Sequence, residues 1–508
     1  MTKKSILRLL QASLMCCLAV LFTACEDFAT EDNPTPSYIS INTSNAQLKL
    51  GDTFVRKAIV AGSAVVTYSS SDETIATVDQ EGKVTGIKVG TATITVEVTG
   101  YNAAGKKIYI PEEKSYKVTV YDPVNSLSSP ALLIVAVGNS ATITPTIDPA
   151  GYPIQWSSSD ESIATVDETG KVTGVKASAV PVTITAKAGG KTATCAVAVG
   201  ILDLSVVTED AIVPDGIVVT GTLDAVSNPA KVSIAAGATV YLAGATINNT
   251  VECLGDATIV LNKETVNTIS AAKTAIKAGP AGTTLTLSGE GTLNATSSAI
   301  NYACIGSQKQ GAAGNIVIEG GIINATAADY AAAIGAGGGG TCQDITIQGG
   351  TVTAYAGCFG AGIGTGDSYY GPTACGNILI TGGIVNAYGG YEGAGIGAGA
   401  SESETNAVTC GDITITGGTV NAYGDQYSAG IGTGIKYYSD SSKPICGNIT
   451  ISGGTITATR GAGAKWDIGP GVISGNPGKY DGVVNGTISV TVTVKDKNGN
   501  GANYPVAS

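Results

Sequence analysis

ITIQGGTVTAYAGCFGAGIGTG (residues 345–366), ILITGGIVNAYGGYEGAGIGAG (378–399) and ITITGGTVNAYGDQYSAGIGTG (413–434) are three copies of one pattern. Looser copies begin at Leu285, Ile316 and Ile449, so the starts fall roughly 30–36 residues apart. A fixed period of this size signals a solenoid or an array. Each copy holds an alternating apolar strand, a Gly-Gly corner, a second β-branched strand and a short AGIG strand, followed by a variable loop. Helix formers are not in phase, and no two-residue hairpin turn occurs. The pattern predicts a parallel β-helix, one coil per repeat, with successive coils about 4.8 Å apart.

Composition agrees with a β-rich, tightly turned chain: 70 glycines and only 13% charged residues in 508. The net charge of −12 argues against a nucleic-acid partner, because phosphate binding needs a basic face. Histidine is absent, and arginine occurs only as Arg8, Arg56 and Arg460. That removes the Ser-His-Asp and Cys-His nucleophilic sites and the commonest general base.

Residues 1–24 have a basic start, an apolar run from Leu9 to Phe22 and small residues at Thr23 and Ala24, which is the pattern of a secretory signal peptide. LFTAC, ending in Cys25, resembles the lipobox of bacterial lipoproteins, which implies acylation of Cys25 and a lipid anchor. The acidic pair Glu26-Asp27 is similar to the export signal of surface-exposed lipoproteins in Bacteroidetes-type bacteria. Together these imply a lipid-anchored, surface-exposed protein of the outer membrane. Residues 25–36, acidic and Pro-bearing, read as a flexible tether.

YSSSDETIATVDQEGKVTG (68–86) and WSSSDESIATVDETGKVTG (156–174) are copies of each other, 88 residues apart. Short strands broken by Ser-Asp and Asp-x-x-Gly turns predict small antiparallel sandwiches over 37–121 and 124–199. The motif resembles the group 2 bacterial immunoglobulin-like domain, whose members serve mostly as spacers on surface proteins. Tyr68 and Trp156 are the expected inward anchors, with Ile75, Val78, Val84, Ile163, Val166 and Val172 in the cores. Asp72 and Asp160 are expected to cap local turns rather than hold a metal. The insertion YNAAGKKIYIPEEK in the first module reads as a long hairpin.

The fold class is therefore all-β: two immunoglobulin-like sandwiches, then a β-helix over 203–484, with 485–508 as a terminal strand or cap. The helix resembles Gly-rich right-handed β-helix repeats of bacterial surface proteins. Some relatives are described as carbohydrate-binding, and the fold is shared with pectate lyases and polygalacturonases. Lyases of that fold imply a Lys or Arg base and Ca²⁺ held by acids, but the helix has one arginine and scattered lysines. Glycosidases need paired carboxylates, and the paired acids in the repeats are Glu402 and Glu404. A non-catalytic role is the expectation.

Three sets of residues are candidates. Cys342, Cys375, Cys410 and Cys446 each stand three residues before a repeat's first strand and should stack as a ladder. Buried free thiols are the favoured reading, since stacked side chains point the same way; disulfides and a metal site are the alternatives. Tyr355, Tyr388 and Tyr423 form a second ladder, extended by Thr296, Thr326 and Thr459. Beside it runs Asn294, Asn324, Thr353, Asn386, Asn421 and Thr457. This strip either stacks for stability or offers aromatic rings to the sugar faces of a polysaccharide. The loops after AGIG carry Asp367, Tyr369 and Tyr370, then Glu402 and Glu404, then Tyr437, Tyr438 and Asp440. They should cluster on one edge and suit sugar hydroxyls, with Ca²⁺ as a possible cofactor, or else reflect drift in loop length. The expected partners are a polysaccharide or a host or cell-surface glycan, and the membrane through the lipid.

Overall fold

The computed structural model describes residues 35–36, 39–60, 64–102, 109–224, 229–436, 442–472 and 481–505. The leader, Cys25, most of the tether, and Tyr437, Tyr438 and Asp440 lie outside the described residues. The last two tether positions differ from expectation: Thr35–Pro36 form a strand paired in parallel with Tyr109–Ile110.

The chain divides into two compact units. The first contains the first sandwich. One sheet runs Ala46–Lys49, Glu112–Tyr121, Gly90–Asn102, Ala64–Ser70; the other runs Thr53–Val55, Lys83–Gly86, Ala76–Val78. Tyr68 and Val84 are buried in its core, with Ile75 and Val78 packed against them. The insertion extends the antiparallel pair Gly90–Asn102 and Glu112–Tyr121, as its hairpin reading requires; its tip lies outside the described residues. Asp72 Oδ1 accepts the Thr74 N–H at 2.9 Å, and Asp160 Oδ1 in the second module accepts that of Ser162 at 2.9 Å. Both aspartates are turn caps, and the hydroxyls of Thr74 and Ser162, then these N–H groups, hold the carboxyls below their ordinary range.

The second unit holds the second sandwich sheet and the right-handed β-helix, which share a core. Along Leu132–Val135, Leu133 and Val135 face the sandwich core, while Leu132 and Ile134 pack against the β-helix core. Val197 and Val199 likewise belong to the sandwich, and Ala198 to the helix. Trp156, half-buried, packs on the sandwich side with Ile163 and Val166, and Val172 is buried there. The period of two along a strand explains this division. The module read as a spacer therefore also covers the first coil, which a solenoid needs.

Each regular coil visits four faces. In the coil of Ile345 these are Ile345–Ile347, Thr351–Tyr355, Ile363–Gly364 and Thr373–Cys375. Among the described residues the four sheets contain eleven, ten, ten and six parallel strands. The fourth begins only at Ala312–Ala313, so the earlier coils are three-sided. Ile345, Ile347, Val352, Ala354 and Ile363 are fully buried, and their equivalents stack into a continuous aliphatic core. Small Ala on the second face and branched Ile on the first let the layers interdigitate.

The glycine after Ile in AGIG has a steric cause. Gly364 pairs with Gly335 and Gly397 at φ 136°, and a Cβ there would lie 1.9 Å from the Gly397 carbonyl oxygen. No other residue fits such a conformation and approach.

Residues 485–505 add a partial coil. Ile488–Val490 continues the first face and Val494–Lys495 the second. Buried Asp467 then accepts N–H groups from Arg460 and Asn503 at 3.0 and 2.7 Å and the Arg460 guanidinium at 2.8 Å. That anchors the final segment over the last coil.

Candidate functional site

The cysteine ladder forms as the register requires: Cys342 pairs with Cys375, Cys375 with Cys410 and Cys410 with Cys446. All four are buried free thiols. Cys375 is raised well above an ordinary thiol by hydrogen bonding with Cys342 and Cys410 and by burial. Such thiols are unreactive core groups.

Tyr355, Tyr388 and Tyr423 stack on the second face, with centroids 4.4 and 4.9 Å apart and planes within 10° and 13° of parallel. Thr326 and Thr459 continue the register above and below. The amide ladder is also realised: the Asn324 and Asn421 side chains donate to Asn294 and Asn386 at 2.8 and 2.9 Å. This geometry corrects the idea that sugar faces stack on these rings. The inner faces of the stack are spent on one another, so no sugar ring can lie between them.

Two of the loops after AGIG, those of Asp367 and Glu402, meet at one edge. The Glu402 N–H donates to Asp367 Oδ2 at 3.1 Å, the Ser368 and Ser401 hydroxyls meet at 2.9 Å, and the Asn406 side chain donates to the Ser368 carbonyl at 3.1 Å. Asp367 itself is not a surface acid. It is 0% exposed, its other oxygen takes the Tyr369 N–H at 2.6 Å, and burial raises its pKa to about 6. The acid predicted to face a ligand is instead the internal brace of the loop. Glu404 is exposed and apart from it, its carbonyl accepting from the Ser442 hydroxyl.

What Asp367 braces is an aromatic platform. Tyr369 is 59% exposed and meets Tyr370 edge-to-face at 4.8 Å. The Lys309 ammonium lies 3.3 Å from the Tyr370 ring centroid, and the Gln310 side chain donates to the Tyr370 carbonyl at 2.8 Å. The platform is thus tied to a coil two turns earlier.

Sequence reasoning missed a further row. Tyr330, Phe359 and Glu392 occupy the corner before AGIG, all with φ between 65° and 68°. The Tyr330 and Phe359 rings lie 5.2 Å apart, and Tyr391 meets Phe359 edge-on at 6.0 Å. The backbone N–H groups of Asp367 and Ile435 donate to the carbonyls of Tyr330 and Glu392. Glu392 is 5% exposed, and its Oε2 has no hydrogen-bond partner. Burial, then the charge of Glu402, raises Glu392 to about 7; burial, then Asp367, raises Glu402 to about 7. The signal was present as the one acid in a corner slot that carries Asn301, Tyr330 and Phe359 in the preceding coils. Among the described residues no group of three or more His, Cys, Asp or Glu side chains is arranged to hold a metal.

A chain of group 2 immunoglobulin-like modules leading into β-helix repeats is the class that this architecture defines. Residues 38–106 and 125–197 match the bacterial Ig-like domain (group 2). Residues 345–367, 378–400, 413–435 and 449–464 match the β-helix repeat. The chain carries two of the former and a run of the latter. An uncharacterized protein of Clostridium acetobutylicum is 30% identical over 146 residues, 27% of this chain and 14% of its own length. An α-L-arabinofuranosidase of Bifidobacterium longum is 36% identical over 108 residues, 20% of this chain and 9% of its own. The chain thus spans a small part of either relative. Among solved structures, the surface layer protein SbsC, domains 1–6, matches at TM-score 0.14 and 23% identity, covering 29% of this chain and 22% of that one. The titin I9–I11 tandem matches at TM-score 0.22 and 13% identity, covering 32% and 65%. At TM-scores this low neither likeness bears on function.

Proposed function

We propose that this is a non-catalytic cell-surface protein whose β-helix binds carbohydrate at the loop edge, presented on immunoglobulin-like modules and anchored through lipid on Cys25 to the outer membrane. The observation that carries the reading is the Tyr369–Tyr370 pair. The Tyr369 backbone is held by a buried carboxylate and its ring by Tyr370, which two side chains from another coil fix in turn, so the pair is pre-organised and little entropy is lost when a sugar face covers it. Lys309 and Gln310 supply donors for hydroxyls beside it. The stacked strip of Tyr355, Tyr388 and Tyr423 lends stiffness and a row of hydroxyls.

The chain, tested on a polysaccharide and glycan array with and without Ca²⁺, should bind through the helix. Tyr369→Ala should abolish binding while Tyr388→Phe preserves it. No saturable binding to any glycan in either condition removes this reading and leaves a structural or protein-binding adhesin. Release of products from a bound polysaccharide would instead reinstate a lyase or hydrolase.

A further inference from the structure

We infer that Glu392 and Glu402 form a site for a divalent cation with oxygen ligands, of the Ca²⁺ type, beneath the loop edge. The site goes beyond the carbohydrate reading and does not depend on it.

The backbone brings the two acids together. The Ile435 N–H donates to the Glu392 carbonyl at 3.3 Å, and the Ser401 N–H donates to the Ile435 carbonyl at 3.0 Å. Glu392 and Glu402 therefore lie on neighbouring segments around one shared rung. Glu392 is about as buried as a core leucine, yet Oε2 meets no donor. A buried carboxylate oxygen without a partner is costly, and natural folds pair such groups or give them a ligand. The nearby N–H groups of Tyr369 and Glu402 are already taken by Asp367. That explains why the third acid is not a ligand: both its oxygens serve the backbone.

The charge balance also points to a cation. Asp367, Glu392 and Glu402 supply three carboxylates, with Asp329 and the phenols of Tyr330 and Tyr391 around them. Lys436 pairs across the backbone with Ser401 on the preceding coil. Counted in full, its single positive charge leaves the cluster negative. A hard cation would accept Glu392 and Glu402 as carboxylates, taking its remaining oxygens from water and carbonyls. Glu402, only half-buried, gives the entry path. Through the Glu402–Asp367–Tyr369 hydrogen bonds, occupancy would tighten the loop that carries the exposed ring.

Terbium reports such a site directly, since Tyr330 and Tyr391 flank it and can sensitise its emission. The full chain is titrated with Tb³⁺ at about pH 8, without glycan, and then with competing Ca²⁺. Expected are saturable emission reversed by Ca²⁺, and at least about tenfold weaker binding in both Glu392→Gln and Glu402→Gln. Glu404→Gln, on the same loop but apart from the cluster, should bind as wild type. Circular dichroism confirms that each variant is folded. Absence of sensitised emission from the wild type overturns the site and leaves the acids as proton holders. Equal emission in all four proteins also overturns it, as adventitious binding to an acidic surface. Neither result touches the glycan test.

Discussion

Asp367 and Glu402, one coil apart, are joined by a hydrogen bond from the Glu402 backbone N–H to the Asp367 carboxylate at 3.1 Å. The same carboxylate holds Tyr369, so one buried acid couples two loops to the exposed ring. Such a brace works only while the fold tolerates acids out of water, and that makes it sensitive to pH.

Asp367 is raised to about 6, and Glu392 and Glu402 to about 7, all chiefly by burial. Unfolded, these groups ionise near their ordinary values of 3.8 and 4.5. Between about pH 4 and 7 the folded chain therefore holds protons that the unfolded chain has released, and stability falls as pH rises. Above that window the effect is constant. Asp72 and Asp160 act oppositely, and only as pH falls through and below the ordinary carboxylate range. In chelator, the thermal midpoint of the β-helix transition should decline from about pH 4.5 to 7, and Glu392→Gln should flatten the decline. A midpoint that rises across the window contradicts these assignments.

The solenoid was legible because its signals are local and repeated. Ile345, Val352 and Ile363 recur with period-two burial, and register then dictates the cysteine, tyrosine and amide ladders. The site was less legible, because it depends on connections between coils. Asp367 sits in a loop and reads as exposed; only the third dimension shows Glu402 and Tyr369 closing over it. Glu392 lies in a corner whose left-handed backbone no periodicity announces. Another hidden device is the row Asn315, Asp344, Asn377, Asp412 and Asn448. Each side-chain oxygen accepts the N–H of its counterpart on the next coil at 2.7–3.2 Å, and Asn448 accepts that of Thr487 at 3.0 Å. One polar residue before each Ile carries inter-coil bonding along one corner.

Tyr388 is the middle ring of its stack, with a partner on each side. Two aromatic pairs of this kind contribute about 1–3 kcal/mol beyond area burial. Tyr388→Ala should therefore lower unfolding free energy by at least about 2 kcal/mol. Tyr388→Phe, which keeps the stack and loses only the hydroxyl, should change it little. Chemical denaturation of both variants, read beside glycan binding, separates the two roles of the strip. If Tyr388→Phe destabilised as much as Tyr388→Ala, the hydroxyl row rather than stacking would be the source of stability.

Gly364 makes the sharpest demand on the fold. An alanine Cβ would meet the Gly397 carbonyl oxygen at 1.9 Å, well inside contact distance, on a backbone at φ 136° that L-residues rarely adopt. The obstruction is main chain on the next coil, so no side-chain rotation can relieve it. Separating the coils would also break the rung that joins Ile363 to Ile396, beside the corner that holds Phe359. Backbone strain alone costs about 1–3 kcal/mol, and the steric clash adds to it. Gly364→Ala should give a β-helix that is unfolded or has lost at least about 3 kcal/mol. Gly501→Ala, in the final segment, is the control. Its backbone lies outside the left-handed region, and its Cβ would meet nothing within 4 Å. Circular dichroism melts of the two variants decide the matter: equal, small losses would mean that AGIG glycines are dispensable and that the third face does not need its close inter-coil approach.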